Sequence, residues 1–164
     1  VQIARALVNE PQVLLLDEPT TGLDPQARHL VWDRLRDLKR RGVTLVLTTH
    51  YMDEAEQLCD RLVVMDHGRI VRQGTPAQLI ADEVGGEVLE VVATIPVGRL
   101  LSGCEELVHQ HRQRDHTLLI YTRDADAIVK VISRNDPGCA LRAIRRATLE
   151  DVFLQVTGHE LREQ

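Results

Sequence analysis

The stretch VLLLDEP, residues 13–19, decides the fold of this 164-residue chain. Its four consecutive apolar residues predict a short strand buried on both faces, which is typical of a parallel sheet. Asp17 and Glu18 follow where that strand would end. Because open α/β sheets bind ligands at the carboxyl ends of their strands, we expect a ligand site here. A plainer alternative is a core strand whose final Asp caps the next turn.

The two carboxylates suit different tasks in phosphate chemistry. Asp17 suits Mg²⁺, which takes oxygen ligands and shares them with nucleotide phosphates. Glu18 suits the positioning or activation of an attacking water. These residue types are therefore compatible with nucleotide hydrolysis, although they do not establish it alone.

Two further motifs follow in order along the chain. Residues 20–25 read TTGLDP, and residues 48–50 read TTH at the end of a second apolar run. With these motifs the chain resembles the ATP-binding-cassette (ABC) ATPases. Asp17 and Glu18 resemble the end of that family's Walker B motif. Residues 22–24 resemble its D-loop, and His50 resembles its switch histidine.

The resemblance covers about residues 1 to 80 and implies ATP and Mg²⁺ as ligands. It implies that Asp17 holds the Mg²⁺ ion, that Glu18 is the general base or water-positioning group, and that His50 binds the γ-phosphate. Asp24 would link the site to that of a second ATPase subunit. A lone histidine is usually structural, but His50 follows a predicted buried strand, which favours function. Asp24 also precedes a proline, so it can cap a helix as well.

Composition excludes several other function classes. The net charge is −5 and aromatic residues make up 2% of the chain, so neither a basic surface nor stacking platforms point to nucleic acid binding. The three cysteines form no CxxC pair, which fits a reducing, cytoplasmic setting. No apolar run approaches the length of a membrane span.

Hydrophobic periodicity and turn residues predict the elements of a first domain over residues 1–84. The resemblance to ABC ATPases implies that this domain is the C-terminal part of a P-loop NTPase sheet with helices. Asp53, Glu54 and Glu56 are expected on the solvated face of their helix. The predicted elements are a helix over residues 1–9, strands at 13–16 and 43–48, helices at 25–41 and 51–59, a hairpin of strands 61–66 and 69–73, and a short helix starting at Thr75-Pro76.

A second domain is predicted over residues 87–164, after a boundary at Gly85-Gly86. Its β-α-β-β-α-β order predicts a small α+β, ferredoxin-like accessory unit. The tail TLEDVFL, residues 148–154, predicts a capping box and an amphipathic helix. This tail and residues 49–55, THYMDEA, resemble ATPase subunits of drug- and nodulation-factor-type exporters. Arg145 and Arg146 are expected to be surface charges.

Several motifs of the ABC family are missing from the chain. It contains no G-x-x-x-x-G-K-[ST] phosphate loop, no glutamine loop and no signature sequence. Residues 101–104, LSGC, start like a signature but follow His50, whereas the family places its signature before the Walker B strand. We therefore expect this chain to be the C-terminal part of a longer protein and to be inactive alone.

The resemblance of these motifs to the ABC family implies that the protein is the ATP-binding subunit of an ABC transporter. A homodimer of such subunits would hydrolyse Mg-ATP at the inner face of the cell membrane and drive export through a separate integral membrane permease. Two alternatives stay open. One is a soluble ABC ATPase without a membrane partner, and the other is a truncated, non-enzymatic protein that binds a partner through its accessory domain.

Overall fold

The computed structural model describes residues 2–158. Contacts between backbone positions divide the chain into two units, Val1–Asp60 and Arg61–Gln164. This structural division falls earlier in the chain than Gly85-Gly86. The boundary predicted there, between the ATPase part and the accessory domain, stays a prediction. Val1, the first residue of the predicted helix 1–9, lies outside the described residues, as do residues 159–164 of the predicted accessory domain.

The first unit alternates helices and strands, as the sequence predicts. Its first helix is shorter than predicted, because residues 7–9 form turns. The elements are α1 (Gln2–Ala6), β1 (Val13–Asp17), α2 (Pro25–Arg40), β2 (Thr44–Thr48) and α3 (Met52–Leu58).

The two strands of the first unit pair in parallel, in a register that runs from Val13 opposite Thr44 to Asp17 opposite Thr48. Helix α2 lies between them in sequence and supplies the crossover that parallel neighbours require. A small core forms where Trp32 and Leu35 of α2 meet Leu58 of α3. Leucines 16, 45 and 47 of the strands pack against it.

One face of this small sheet differs from the prediction. Leu14 is buried, but Leu15 is 75% exposed and Val13 and Val46 are each more than half exposed. The prediction that the strand is buried on both faces is therefore wrong for the described residues. Side chains alternate along a strand, and the core formed with α2 and α3 covers only one of the two faces.

Helix α2 begins and ends as its sequence indicates. The Asp24 carboxylate accepts a hydrogen bond from the Ala27 N–H at 2.9 Å, and Pro25 occupies the first helical position. Gly42 follows the helix with a φ of +90°, a conformation that favours glycine. The predicted helix over residues 25–41 is confirmed to within one residue.

The second unit begins with an antiparallel hairpin that turns at His67-Gly68, as predicted. A short helix follows, with a capping box formed by Thr75 and Gln78. The elements are β3 (Leu62–Asp66), β4 (Arg69–Gly74), α4 (Pro76–Glu83), β5 (Glu87–Val92), α5 (Val97–Leu100), β6 (Val108–Arg114), β7 (Thr117–Thr122), α6 (Ala125–Asn135), β8 (Ala140–Arg146) and α7 (Leu149–Thr157).

Strands β5 to β8 form one antiparallel sheet in the order β6-β7-β5-β8. With α5 after β5 and α6 after β7, this is the β-α-β-β-α-β arrangement expected for a ferredoxin-like unit. Alternate residues of the central strands, such as Leu89 and Ile120, form a core with Leu100 of α5 and Ile128 of α6. The predicted accessory fold is confirmed.

Strand β8 and helix α7 are joined by a polar network, and Arg145 is its centre. The Arg145 guanidinium donates two hydrogen bonds to Asp151, at 2.7 and 2.9 Å, and one to Glu90 at 2.9 Å. Tyr121 donates to the same Asp151 at 3.1 Å. Burial and this carboxylate raise the pKa of Tyr121 to about 12. Arg146 is exposed as predicted. Arg145 also keeps a partly exposed side chain, but it is not a free surface charge, because Asp151 and Glu90 hold it against the sheet.

Candidate active site

The carboxyl ends of β1 and β2 bring three of the predicted site residues together. Asp17 and Thr48 are opposite each other in the parallel register, so the residues after them leave the sheet at the same edge. The Thr48 hydroxyl donates a short hydrogen bond to the Asp17 carboxylate. Asp17 is exposed there and presents oxygen atoms of the kind that a hard divalent cation takes.

Glu18 has an unusual backbone conformation. Its φ is +44°, in the left-handed region that residues other than glycine seldom adopt. Its N–H donates to the Thr48 carbonyl at 3.0 Å, and its own carbonyl accepts from the Thr21 N–H at 3.2 Å. The Thr21 hydroxyl donates to Glu18 Oε2 at 3.2 Å. These contacts hold a strained residue in place, which is typical of functional positions.

His50 lies beside Glu18. Its Nδ1 atom is 3.2 Å from Glu18 Oε1, and both side chains are partly exposed, by 38% and 47%. Because a carboxylate only accepts hydrogen bonds, Nδ1 carries the proton in this contact. The Tyr51 ring lies 4.2 Å from the His50 ring between centroids, and the Arg28 guanidinium lies 4.1 Å above the Tyr51 ring. His50 thus packs against the tilted Tyr51 ring, at an interplanar angle of 38°, as well as being hydrogen bonded.

Asp24 is separate from this cluster in its hydrogen bonds. Its carboxylate caps α2, and within residues 2–158 it forms no hydrogen bond with Asp17, Glu18 or His50. The segment between Glu18 and Asp24 is a compact turn, in which the Leu23 N–H donates to the Thr20 carbonyl at 3.2 Å. The structure therefore supports the capping role directly, and the link to a second subunit stays a prediction.

Sequence analysis missed Glu54. It was expected on the solvated face of its helix, but its exposure is 0%. Its Oε1 accepts hydrogen bonds from the Thr20 hydroxyl at 2.8 Å and from the Trp32 indole N–H at 3.0 Å. The available signal was its spacing from Leu58, since residues four apart share a helix face. Of the other two acids that were predicted to face solvent, Asp53 is exposed and Glu56 is partly buried.

Two family models match separate parts of the chain. Residues 3–52 match an AAA domain family. Residues 100–158 match the C-terminal domain of the nodulation factor export protein NodI.

Curated relatives align with nearly the whole chain. The Nod factor export ATP-binding protein I of Paraburkholderia xenovorans is 49% identical over 98% of this chain and 52% of its own length. The protein of the same name from Mesorhizobium japonicum is 48% identical over 98% of this chain and 46% of its own length.

The chain is similar to the Nod factor export ATP-binding proteins over nearly all of its own length. This similarity confirms the predicted resemblance to exporter-type ATP-binding subunits, and the match over residues 100–158 includes the tail at residues 148–154. The chain spans about half the length of these relatives.

A solved structure is also similar in sequence. The cbiO1 protein of Clostridium perfringens, part of the ABC transporter complex cbiONQ, is 42% identical over 49% of this chain and 32% of its own, with a TM-score of 0.44. None of the helices in the described part of the chain has the length and apolar character that a bilayer crossing requires.

Proposed function

We propose that the complete protein carrying this sequence is the ATP-hydrolysing subunit of an ABC exporter. The observation that carries the proposal is the contact between Glu18 and His50. In this contact a carboxylate and an imidazole meet, each following the end of one of two parallel strands. They lie at the edge of the sheet where such folds bind nucleotides. The homology to proteins named for ATP binding and for Nod factor export supports the same function.

Asp17 is the proposed anchor of the Mg²⁺ ion. Its carboxylate is exposed at the sheet edge and is oriented by the Thr48 hydroxyl. Mg²⁺ keeps several waters and is bound by one or two carboxylates together with substrate phosphates, so one such side chain is a sufficient protein ligand. When bound, the ion neutralises charge on the transferred phosphoryl group.

Glu18 and His50 are the proposed hydrolytic pair. Glu18 orients the attacking water or accepts its proton, and the backbone contacts of Glu18 fix its position. With Nδ1 of His50 bonded to Glu18, its Nε2 is free to contact the γ-phosphate, whose oxygens accept hydrogen bonds. In that contact His50 would act as an imidazolium, which donates from both ring nitrogens. Phosphoryl transfer depends mainly on positioning and charge stabilisation, which is what this arrangement supplies.

Asp24 is the proposed link to a second copy of the subunit. Its cap makes the start of α2 rigid, so a loop that crosses a dimer interface would be presented in one conformation. The ATP site would then be completed by residues of both subunits, and we infer that the working form is a homodimer.

This chain alone is proposed to be inactive. It has no phosphate loop, so nothing in its sequence cradles the β- and γ-phosphates. The exposed apolar residues Val13, Leu15 and Val46 also leave one face of the β1-β2 sheet open, whereas parallel sheets are normally covered on both faces. Further polypeptide of the complete protein would cover this face.

The remaining parts of the proposal concern the cellular setting. We infer that the subunit binds a separate integral membrane permease at the inner face of the cell membrane, on its cytoplasmic side. Co-purification of the full-length protein with a membrane protein from the same organism would support this setting. ATP hydrolysis by a protein that never co-purifies with a permease would favour a soluble ABC ATPase instead.

The proposed activity is tested by steady-state ATP hydrolysis with the full-length protein. The Glu18→Gln variant should lose turnover while its ATP affinity changes little, because the amide keeps the size but not the basicity of the carboxylate. Glu106→Gln, at an exposed acid of the second unit, is the matched control and should hydrolyse ATP normally. Equal turnover in wild-type and Glu18→Gln proteins would overturn the proposal.

A further inference from the structure

Glu54 is a carboxylate buried completely inside the first unit. Its Oε1 atom accepts both hydrogen bonds, from Thr20 at 2.8 Å and from Trp32 at 3.0 Å. Its Oε2 atom is buried and has no hydrogen-bond partner within the described residues. A buried carboxylate that lacks full compensation is unfavourable, so its presence calls for a reason beyond packing.

The two donors to Glu54 belong to segments that matter for the proposed hydrolysis. Thr20 lies two residues after Glu18 and is itself fully buried. Trp32 lies on α2, the helix that Asp24 begins, and Glu54 lies on α3, four residues after His50. One carboxylate therefore joins the turn after β1, the helix after that turn, and the helix after β2.

This connection bears on the strained conformation of Glu18. A residue with a φ of +44° is held only where the surrounding structure determines its conformation. The turn that follows Glu18 is closed by the bond from Leu23 N–H to Thr20 C=O, and the Thr20 side chain is fixed by Glu54. Releasing Thr20 would free the turn and let the Glu18 carboxylate move away from His50.

We propose that Glu54 is a positioning residue for ATP hydrolysis. It fixes Thr20 and so keeps the Glu18 carboxylate within hydrogen-bond distance of His50. This inference rests on the proposed function of Glu18 and His50. Because the Glu54 side chain is fully buried, its effect is on the geometry of the step and not on nucleotide affinity.

The test compares four variants of the full-length protein. Thr20→Val keeps the shape of the side chain but removes its donor, and Thr20→Ser keeps the donor. Glu54→Ala removes the acceptor, and Glu54→Gln keeps an acceptor oxygen. We expect Thr20→Val and Glu54→Ala to lower kcat roughly 10- to 100-fold, because small misplacements of reacting groups have effects of that size. KM for ATP should change little, and Thr20→Ser and Glu54→Gln should restore most of kcat.

A loss of folded protein must be distinguished from a loss of positioning. The number of nucleotide-binding sites is therefore measured for each variant, and kcat is expressed per bound nucleotide, so that unfolded protein does not lower it. The emission of Trp32, the single tryptophan of this sequence, reports whether its bond to Glu54 is intact, once tryptophans elsewhere in the protein are replaced by phenylalanine. Thr20→Val should leave that emission unchanged, while Glu54→Ala should shift it.

Three outcomes would overturn the inference, and they differ in what they remove. Unchanged kcat per bound nucleotide in Thr20→Val and Glu54→Ala, with turnover that still depends on Glu18, removes only the positioning role of Glu54. Wild-type turnover that persists in Glu18→Gln removes the proposed function as well. A fall in kcat that neither Thr20→Ser nor Glu54→Gln restores also contradicts the role of this hydrogen bond.

Discussion

The Nδ1 atom of His50 lies 3.2 Å from the Oε1 atom of Glu18, although 32 residues separate the two side chains along the chain. The parallel register of β1 and β2 makes this contact possible, because Asp17 and Thr48 end opposite each other. The same register brings the Thr48 hydroxyl to Asp17. The candidate site is therefore a product of strand pairing and needs no long side chains to reach across the sheet.

His50→Ala should slow ATP hydrolysis by the full-length protein about 100-fold, because small misplacements of reacting groups have effects of that size. ATP affinity should change little, because His50 is proposed to contact only the γ-phosphate. His109→Ala, at an exposed histidine of β6, is the matched control. Steady-state kinetics with both variants measures the effect, and equal loss of activity in both would contradict a specific role for His50.

The two roles of Asp24 can be separated by substitution. Asp24→Ala removes the cap of α2 and should lower the free energy of unfolding by about 1 kcal/mol. Asp24→Ser keeps a capping oxygen and should lower it much less. If Asp24 also links two subunits, Asp24→Ser should still slow ATP hydrolysis. Urea unfolding and kinetics of the two variants test this, and normal hydrolysis by Asp24→Ser would show that the cap is its whole role.

Gly85 precedes β5 with a φ of +83°, and a Cβ atom there would lie 2.9 Å from the Thr122 carbonyl group. Gly86 has a φ of +104° but open space around it, so Gly86→Ala is a matched control for backbone strain alone. Left-handed strain costs about 1–2 kcal/mol and a forced clash about 1–3 kcal/mol more. Gly85→Ala should thus be the more destabilising variant in urea unfolding, and equal effects would contradict the close approach to Thr122.

Asp151 should make stability depend on acid pH. Burial alone would raise its pKa, but hydrogen bonds from Arg145, the Thr148 N–H and Tyr121 lower the pKa overall. With an unfolded pKa of about 3.9, the ionised carboxylate stabilises the fold above about pH 4. This contribution is lost as the pH falls through the lowered folded pKa.

Asp151→Asn should therefore be less stable than wild type at neutral pH and lose less stability on acidification. Urea unfolding from about pH 7 down to about pH 2 measures both slopes. Glu106→Gln, which alters an exposed acid, should follow the wild-type curve. A wild-type slope in Asp151→Asn would mean that the network around Arg145 does not control acid stability.

Much of the fold follows from local signals in the sequence. The apolar runs at residues 13–16 and 43–48 give the parallel strands, and Asp24-Pro25 gives the start of α2. His67-Gly68 gives the hairpin turn, with both residues at positive φ. These features depend on neighbours in sequence, which is why they are predicted to within a few residues.

The errors concern side chains whose surroundings are set by distant residues. Glu54 is buried because Thr20 and Trp32 supply donors from other segments, and the partly exposed Arg145 is held in place because Asp151 and Glu90 accept its hydrogen bonds. Charge alone suggests exposure for both. Leu15 shows the opposite error, since an apolar residue was expected to be buried and is 75% exposed. Tertiary partners decide these cases, and a single sequence does not reveal them.

The most direct measurement is single-turnover hydrolysis of radiolabelled ATP by the purified full-length protein and its Glu18→Gln variant. Both proteins should bind equal amounts of nucleotide in the presence of Mg²⁺. We expect wild-type protein to convert the bound ATP to ADP and phosphate, while Glu18→Gln retains it as ATP. Conversion at the same rate in both proteins would contradict the proposed role of Glu18, and with it the proposed active site.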